Sequence, residues 1–127
     1  MSAAHAYQRV QAQTASPERL MVLLFQKARM HLIEAALAIE NGRPLESNDP
    51  LFKAANIVTE LRATLKPEEA PELCQQLGDL YDFILIRIHA GQTQRDNQAI
   101  REAEAVFQPL VDAFSGAVAE VSNGETS

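Results

Sequence analysis

Cysteine and tryptophan are almost missing from this sequence, which contains one cysteine, Cys74, and no tryptophan. A single thiol cannot form an internal disulfide, and this usage favours a reducing compartment such as the cytoplasm. A chain of 127 residues is long enough for one compact domain with its own apolar core. The composition therefore predicts a single cytoplasmic domain that is held together by packing.

Basic residues are also scarce, since 11 Lys+Arg stand against 17 Asp+Glu and give a formal net charge of −6. No basic run is present that could neutralise phosphates, which argues against a nucleic-acid partner. The longest apolar stretch, Leu20 to Phe25, is far too short to cross a membrane, and residues 1–14 contain no apolar core of a signal peptide. We expect neither nucleic-acid binding nor membrane insertion.

Patterns that carry catalysis or bind metals are missing as well. The Glu-x-x-His pairs of carboxylate-bridged metal bundles do not occur, and His5, His31 and His89 lie on three separate segments. Neither His31 nor His89 has the neighbouring lysine that a phosphotransfer histidine would need. Cys74 lies among apolar residues, where a thiol is usually an inert small side chain. The sequence therefore predicts no enzyme, no metal and no cofactor.

Helix-forming residues dominate instead, and they repeat with helical spacing in four segments. Each segment begins with a residue that can cap free amides or with a proline that lacks the orphan donor. The predicted starts are Ser16-Pro17, Asp49-Pro50, Ala70-Pro71, and Asp96 or Asn97, and the predicted stops of the first two helices are Asn41-Gly42 and Pro67. Four amphipathic helices with short connections predict an all-α, antiparallel four-helix bundle.

The bundle is predicted to span residues 16–121, after an amino-terminal arm or short helix over residues 1–15. The polar residues 122–127 are expected to form a disordered tail. Pro109 lies inside the fourth helical pattern and is expected to kink it.

The helices carry more apolar residues than one buried stripe needs. On a helical wheel, Ile33 and Met30 of helix one, Ile57 of helix two, and Phe83 and Ile86 of helix three fall away from the main stripe. Either these residues are covered by a dimer or by the arm, or they form a groove for a partner's segment. The pattern alone favours neither interpretation.

Three sequence motifs stand out: Tyr7-Gln8 followed by Thr14 to Phe25, then Leu51 to Leu61, and Leu77 to Ile84. The first resembles the amino-terminal signature of the flagellin export chaperones, the FliS family, and the other two are similar to the second and third helix motifs of that family. The resemblance spans about Tyr7 to Ala117. It departs from the family pattern at Phe25, Lys27, Gly91 and Phe114.

The resemblance implies a cytoplasmic chaperone that binds the disordered carboxy-terminal segment of flagellin, prevents premature polymerisation and presents the subunit to the flagellar export gate. It implies a monomer or weak homodimer, with Tyr7 on the arm either plugging the groove or packing on helix one. Two alternatives remain: a chaperone paralogue for another flagellar protein, and a homodimeric helical scaffold or signalling bundle. The predicted partner-binding residues are Tyr7, Val22, Ile33, Ile57, Leu61, Leu80, Tyr81, Phe83, Ile84 and Ile86.

Overall fold

The structure is a computed structural model that describes the backbone of residues 16–126 and the side chains of residues 16–116. The arm predicted over residues 1–15 therefore lies outside the described residues. The elements are α1 (Pro17–Glu40), a short 3-10 helix (Pro44–Ser47), α2 (Asn48–Ala63), α3 (Pro71–Gln94) and α4 (Asn97–Thr126). These four long helices confirm the predicted all-α fold.

The helix starts follow the capping chemistry that the sequence predicts. The Ser16 hydroxyl accepts from the backbone N–H of Arg19 at 3.3 Å, and Pro17 occupies the first turn of α1. At the start of α4, Asp96 is the capping residue, because its Oδ1 accepts from the backbone N–H of Ala99 at 3.1 Å. After α1 the chain turns at Gly42, whose φ of 76° lies in the left-handed region that glycine adopts without strain.

The second helix begins slightly earlier than predicted, at Asn48. The chain leaves α1 through the 3-10 turn, and the Ser47 hydroxyl donates to the Pro44 carbonyl oxygen at 2.6 Å. Arg95 follows the last residue of α3 and has a left-handed conformation with a φ of 53°. Its guanidinium donates to Ser47 Oγ at 3.2 Å and to Asn48 Oδ1. This contact fastens the end of α3 to the start of α2.

The helices form a ring in which each helix packs against two neighbours. α1 and α3 both pack against α2 and α4, so α1 and α3 lie diagonally across the bundle. The fully buried side chains of Phe25, Tyr81 and Phe107 are the largest in the core. Phe25 lies 6.0 Å from Phe107 and 5.6 Å from Phe114 between ring centroids, and this cluster joins α1 to α4.

Ion pairs along the edges show which row of each helix faces which neighbour. Arg29 and Glu40 of α1 pair with Glu104 and Arg101 of α4, at 3.0 and 3.1 Å. Arg62 of α2 pairs with Asp82 of α3, and Arg87 of α3 with Glu102 of α4. Exposed pairs of this kind contribute little to stability, but they show how each helix is rotated about its axis.

The fourth helix runs past the end that the sequence predicted. Its backbone stays helical through Pro109 and through most of residues 122–127, ending at Thr126. No proline follows Pro109, and alanine, valine and glutamate after Gly116 permit further turns. The helix therefore includes residues 122–126, and the disorder predicted for residues 122–127 remains a prediction.

Candidate partner-binding surface

The side of α3 that faces away from the core carries two large apolar side chains. Phe83 is 42% exposed and Ile86 is 66% exposed. Asp82 faces α2 through its pair with Arg62, whereas Arg87 faces α4 through its pair with Glu102. Ile86 lies four residues after Asp82 and Phe83 lies four residues before Arg87, so Ile86 is on the α2 side and Phe83 on the α4 side of the outer face of α3. Both side chains point away from the core toward solvent.

Phe52 of α2 is another large exposed apolar side chain, on the helix next to α3. Its side chain is 60% exposed. Steps of three and four residues lead from Phe52 through Ala55 and Thr59 to Arg62, which contacts α3, so Phe52 lies on the α3 side of α2. We call Phe52, Phe83 and Ile86 the α3 surface. Phe52 is not among the predicted partner-binding residues, although it lies off the main apolar stripe of its helix, as Ile57 does.

Four of the predicted partner-binding residues lie in the core instead. Tyr81 and Ile84 are fully buried, and Leu61 and Val22 are 3% and 8% exposed. Leu61, Tyr81 and Ile84 belong to the core cluster, and Val22 lies at the floor of a depression beside Leu23 and Ser115. The ring of helices covers these four side chains in this conformation, and their part in partner binding remains a prediction.

Three further predicted residues are half-buried and lie on different sides of the bundle. Ile33 follows Arg29 by one turn, and that row of α1 faces α4. Ile57 lies one turn before Leu61, beside the α1–α2 boundary, and packs against the core cluster. Leu80 packs against the core from α3. The structure brings together Phe83 and Ile86 but not Ile33 or Ile57, and Tyr7 lies outside the described residues.

An apolar pocket of about 500 Å³ opens between the first turns of α1 and the last turns of α2. It lies beside Ser16, where the chain enters α1 from residues 1–15. Leu61 contributes to its floor, and the exposed Leu20 lies at its rim. Its lining residues are Pro17, Leu20, Met21, Leu24, Glu60, Leu61, Thr64 and Lys66. This pocket is a second apolar area, on a different edge of the bundle from the α3 surface.

A more polar pocket of about 590 Å³ lies between the end of α2 and the start of α3. Arg62 crosses it to Asp82, with Nε 2.6 Å from Oδ1 and Nη2 3.2 Å from Oδ2. The hydrogen bond from Arg62 holds the pKa of Asp82 below its ordinary value, and the same contact raises the pKa of Arg62. Because the pair satisfies both charges, the pocket offers no free charged group of this pair to a ligand.

The described side chains form no cluster of metal ligands. Among residues 16–116, no group of three or more His, Cys, Asp and Glu side chains is arranged to hold a metal ion. Buried His31 has Nδ1 3.7 Å from Glu34 Oε2, and exposed His89 lies on another helix. Within the described helices, none combines the length and apolar character needed to span a bilayer. Apolar contact is the chemistry that these surfaces provide.

Comparison with known proteins identifies clear relatives. A family model described as "Flagellar protein FliS" matches residues 1–121. The chain is 33% identical over 102 residues to a flagellar secretion chaperone FliS of Salmonella typhimurium, covering 80% of this chain and 76% of the relative. It is 32% identical over 113 residues to the chaperone of the same name from Bacillus subtilis, covering 89% and 84%. A solved structure described as a flagellar chaperone from bacteria shares the fold with a TM-score of 0.77 at 23% identity, covering 94% of this chain and 99% of that one.

Proposed function

This chain belongs to the FliS family, and from that premise we propose that it is a cytoplasmic export chaperone that binds the disordered carboxy-terminal segment of flagellin. Bound in this way, the segment would be kept from premature polymerisation and presented to the flagellar export gate. The relatives carry the name flagellar secretion chaperone, which supports a role in export but does not name the client. The client and the contact residues are our proposal.

The α3 surface is the observation that carries this proposal. Three large apolar side chains, Phe52, Phe83 and Ile86, are each at least 42% exposed on the adjacent helices α2 and α3. Large apolar side chains exposed on two adjacent helices are typical of a surface that another segment covers. An amphipathic helix binds well to such a surface, because its apolar side chains can enter the shallow depressions between two helices.

The chemistry of a disordered export substrate fits this surface. A segment that folds only on binding loses conformational freedom, so its contacts must be extensive and largely apolar. The pocket beside Leu20 and Leu61 offers a second apolar area. A long segment that wraps around the bundle could contact both areas, whereas a short helix could contact only one.

Titration of the full chain with the carboxy-terminal peptide of flagellin from the same organism tests the proposal. We expect binding at about one to one, a negative heat-capacity change because apolar surface leaves water, and a gain of helical circular dichroism as the peptide orders. Salt should change the affinity little, because exposed charges contribute weakly to an apolar contact. Absence of both heat and added helicity at micromolar concentrations would contradict flagellin as the client.

Matched variants identify the surface involved. Ile86→Glu and Phe52→Glu should weaken peptide binding, because each places a charge in the contact. Leu45→Glu is the control, since Leu45 is 75% exposed but lies in the 3-10 helix, which packs against α1 and α2. Equal loss of binding in all three variants would contradict the α3 surface as the contact. Binding of a different flagellar protein's segment in place of flagellin would support a paralogous chaperone.

A further inference from the structure

Cys74 lies in the wall of an open pocket. It is the single cysteine of the chain, and its thiol is free and half-buried. The pocket of about 590 Å³ between the end of α2 and the start of α3 has Cys74 among its lining residues. A small molecule can therefore reach the sulfur from solvent. This access distinguishes Cys74 from the inert thiol that its apolar neighbours in the sequence predict.

A row of residues on α3 connects Cys74 to the core. Gly78 follows Cys74 by four residues, and Tyr81 follows Gly78 by three, so the three residues lie along one side of the helix. Gly78 adds no side chain to this row. A Cβ atom placed there would lie 3.7 Å from Leu65 Cδ1, which is an ordinary contact distance. The row therefore has room at its middle, between the thiol and the tyrosine.

The Tyr81 hydroxyl is the polar group at the inner end of this row. Tyr81 is fully buried, and within residues 16–116 its hydroxyl oxygen has no hydrogen-bond partner. Burial raises the pKa of Tyr81, and the nearby Cys74 thiol raises it further. Side chains on a helix incline toward its amino end, so the hydroxyl is directed over Gly78 toward Cys74. A buried hydroxyl without a partner costs free energy, and here it lies beside the sulfur.

One oxygen atom on the sulfur would supply the missing acceptor. Oxidation of a thiol to sulfenic acid adds a single oxygen and no bulky group. A sulfenic acid usually condenses with a second thiol to form a disulfide, but this chain has no second cysteine. The oxidised sulfur would therefore persist until an external thiol reaches it through the pocket.

We propose that Cys74 is a site of reversible oxidation by hydrogen peroxide, and that the Tyr81 hydroxyl holds the resulting sulfenic acid by donating a hydrogen bond to its oxygen. The sulfur loses its proton and attacks one oxygen of the peroxide, so an S–O bond forms as the O–O bond breaks. Two electrons pass from sulfur to the peroxide, and the departing hydroxide takes up the thiol proton and leaves as water. Tyr81 is a positioning residue in this step. The inference does not depend on the identity of the client.

Capture of the sulfenic acid by dimedone tests the site. The full-length protein is treated with stoichiometric hydrogen peroxide, catalase removes the remainder, and dimedone is added after increasing delays. Because the chain has one cysteine, every adduct detected by mass spectrometry reports on Cys74. We expect the native chain to form the adduct, and dithiothreitol added before dimedone should prevent it by restoring the thiol.

Variants test the role of the hydroxyl. Tyr81→Phe should shorten the lifetime of the dimedone-reactive species by about three- to ten-fold, the effect of one hydrogen bond. Tyr7→Phe is the matched control, because it makes the same change at the other tyrosine of the chain and should keep the native lifetime. Gly78→Ala should also shorten the lifetime, since its methyl group enters the row between the two side chains. Circular dichroism of each variant verifies that the fold is intact.

Tyrosine fluorescence gives a second measurement that a merely structural role would not change. In the Tyr7→Phe variant, Tyr81 is the one remaining tyrosine, and the chain has no tryptophan to mask its emission. Oxidation of Cys74 should change the emission of Tyr81, because its hydroxyl gains an acceptor. Addition of dithiothreitol should restore the original emission.

Each outcome supports or overturns the inference. A native chain that forms no adduct, or that passes directly to sulfinic acid, overturns Cys74 as a site of reversible oxidation. A lifetime that Tyr81→Phe leaves unchanged, or that Tyr7→Phe shortens equally, overturns the role of Tyr81. Unchanged Tyr81 emission on oxidation overturns the hydrogen bond. Failure of the flagellin peptide to bind would bear on the proposed function alone, because oxidation is measured without the peptide.

Discussion

The Arg62 guanidinium donates two hydrogen bonds to the Asp82 carboxylate, with Nε 2.6 Å from Oδ1 and Nη2 3.2 Å from Oδ2. The pair links α2 to α3 beside the α3 surface. A two-point contact of this kind holds both side chains in one geometry, in contrast to a single contact between flexible ends. It therefore helps to set the position of Ile86, one turn further along α3.

The first prediction concerns the acid stability of the fold. Because the hydrogen bond from Arg62 lowers the pKa of Asp82 in the folded protein, the unfolded chain binds this proton first as pH falls. The stabilisation is therefore complete above the ordinary pKa of 3.8 and is lost as pH falls through the lower, folded value. Urea unfolding of the native chain and Asp82→Asn should differ at pH 7 and converge in strong acid.

Asp79→Asn provides the control for that comparison. Asp79 lies on the same helix, and among side chains 16–116 it takes part in no ion pair. Its substitution should leave the acid limb of the stability profile unchanged. An equal effect of the two substitutions would show that general charge reduction, and not the Arg62 contact, determines the profile.

The second prediction concerns the Tyr81 hydroxyl. This group is buried, and its oxygen has no hydrogen-bond partner among the described residues. Burial raises the pKa of Tyr81 from 10.0 to about 12, so stability should fall as pH rises between these values, where the unfolded chain ionises first. Tyr81→Phe removes an unsatisfied polar atom and should be neutral or stabilising by about 1 kcal/mol. Denaturant unfolding at pH 7 measures the stability change.

Tyrosinate absorbance provides an independent measurement of the same group. The chain has two tyrosines, Tyr7 and Tyr81. In a Tyr7→Phe variant, the remaining absorbance change should occur near pH 12 or together with alkaline unfolding. A change centred at the ordinary tyrosine value in a folded chain would contradict the buried position of this ring.

The third prediction concerns Gly91, where α3 approaches α4 closely. A Cβ atom placed on Gly91 would lie 2.6 Å from Ile100 Cγ1 and 2.9 Å from its Cδ1. Gly91→Ala should therefore destabilise the fold by about 1–3 kcal/mol, even though alanine favours helix. Gly116→Ala is the matched control, because a Cβ there meets no atom within 4 Å. That change should leave stability unchanged or raise it by up to about 1 kcal/mol.

The fourth prediction separates surface residues from core residues on α3. Ile86→Glu should change the free energy of unfolding by less than about 0.5 kcal/mol, because its side chain already contacts water. It should weaken flagellin-peptide binding by about 1–3 kcal/mol if the α3 surface is the contact. Leu77→Glu should instead unfold the chain, because Leu77 is 4% exposed in the core.

Ile57→Glu gives an intermediate case that tests the assignment of faces. Ile57 is half-buried and packs against the core cluster, beside the boundary between α2 and α1. Its substitution should cost more stability than Ile86→Glu and less than Leu77→Glu. Equal stability of the Ile57 and Ile86 variants would mean that Ile57 belongs to a surface and not to the helix boundary.

The capping residues and the apolar spacing were sufficient to predict the four helices, because caps act over a few neighbouring residues. Ser16-Pro17 and Asp96 are examples in which local chemistry alone fixes a helix start. The outward faces were harder to predict, since they depend on which helices become neighbours. Ile57 and Phe83 look alike on separate helical wheels, but the ring of helices turns Ile57 toward α1 and leaves Phe83 toward solvent.

The same dependence explains why the predicted site mixed core and surface residues. Tyr81 and Ile84 lie in a motif that resembles the family, but a motif identifies a helix and not the side of it that a partner touches. Ile84 is fully buried, whereas Ile86, two residues further along α3, is 66% exposed. Core packing of Tyr81 and Ile84 fixes that rotation, and a single sequence does not reveal which helices become neighbours.

The extensive packing of α1 against α4 also determines when the chain can reach its native state. Arg29 and Glu104 are separated by 75 positions, and the Phe25–Phe107–Phe114 cluster lies across the same boundary. Contacts so distant in sequence require a large loop to close, so we expect them to form late in folding. During synthesis, the first three helices can associate locally, but Phe25 remains without its aromatic neighbours until the last helix has been made. The nascent chain therefore exposes apolar side chains of its future core until the last helix has been synthesised.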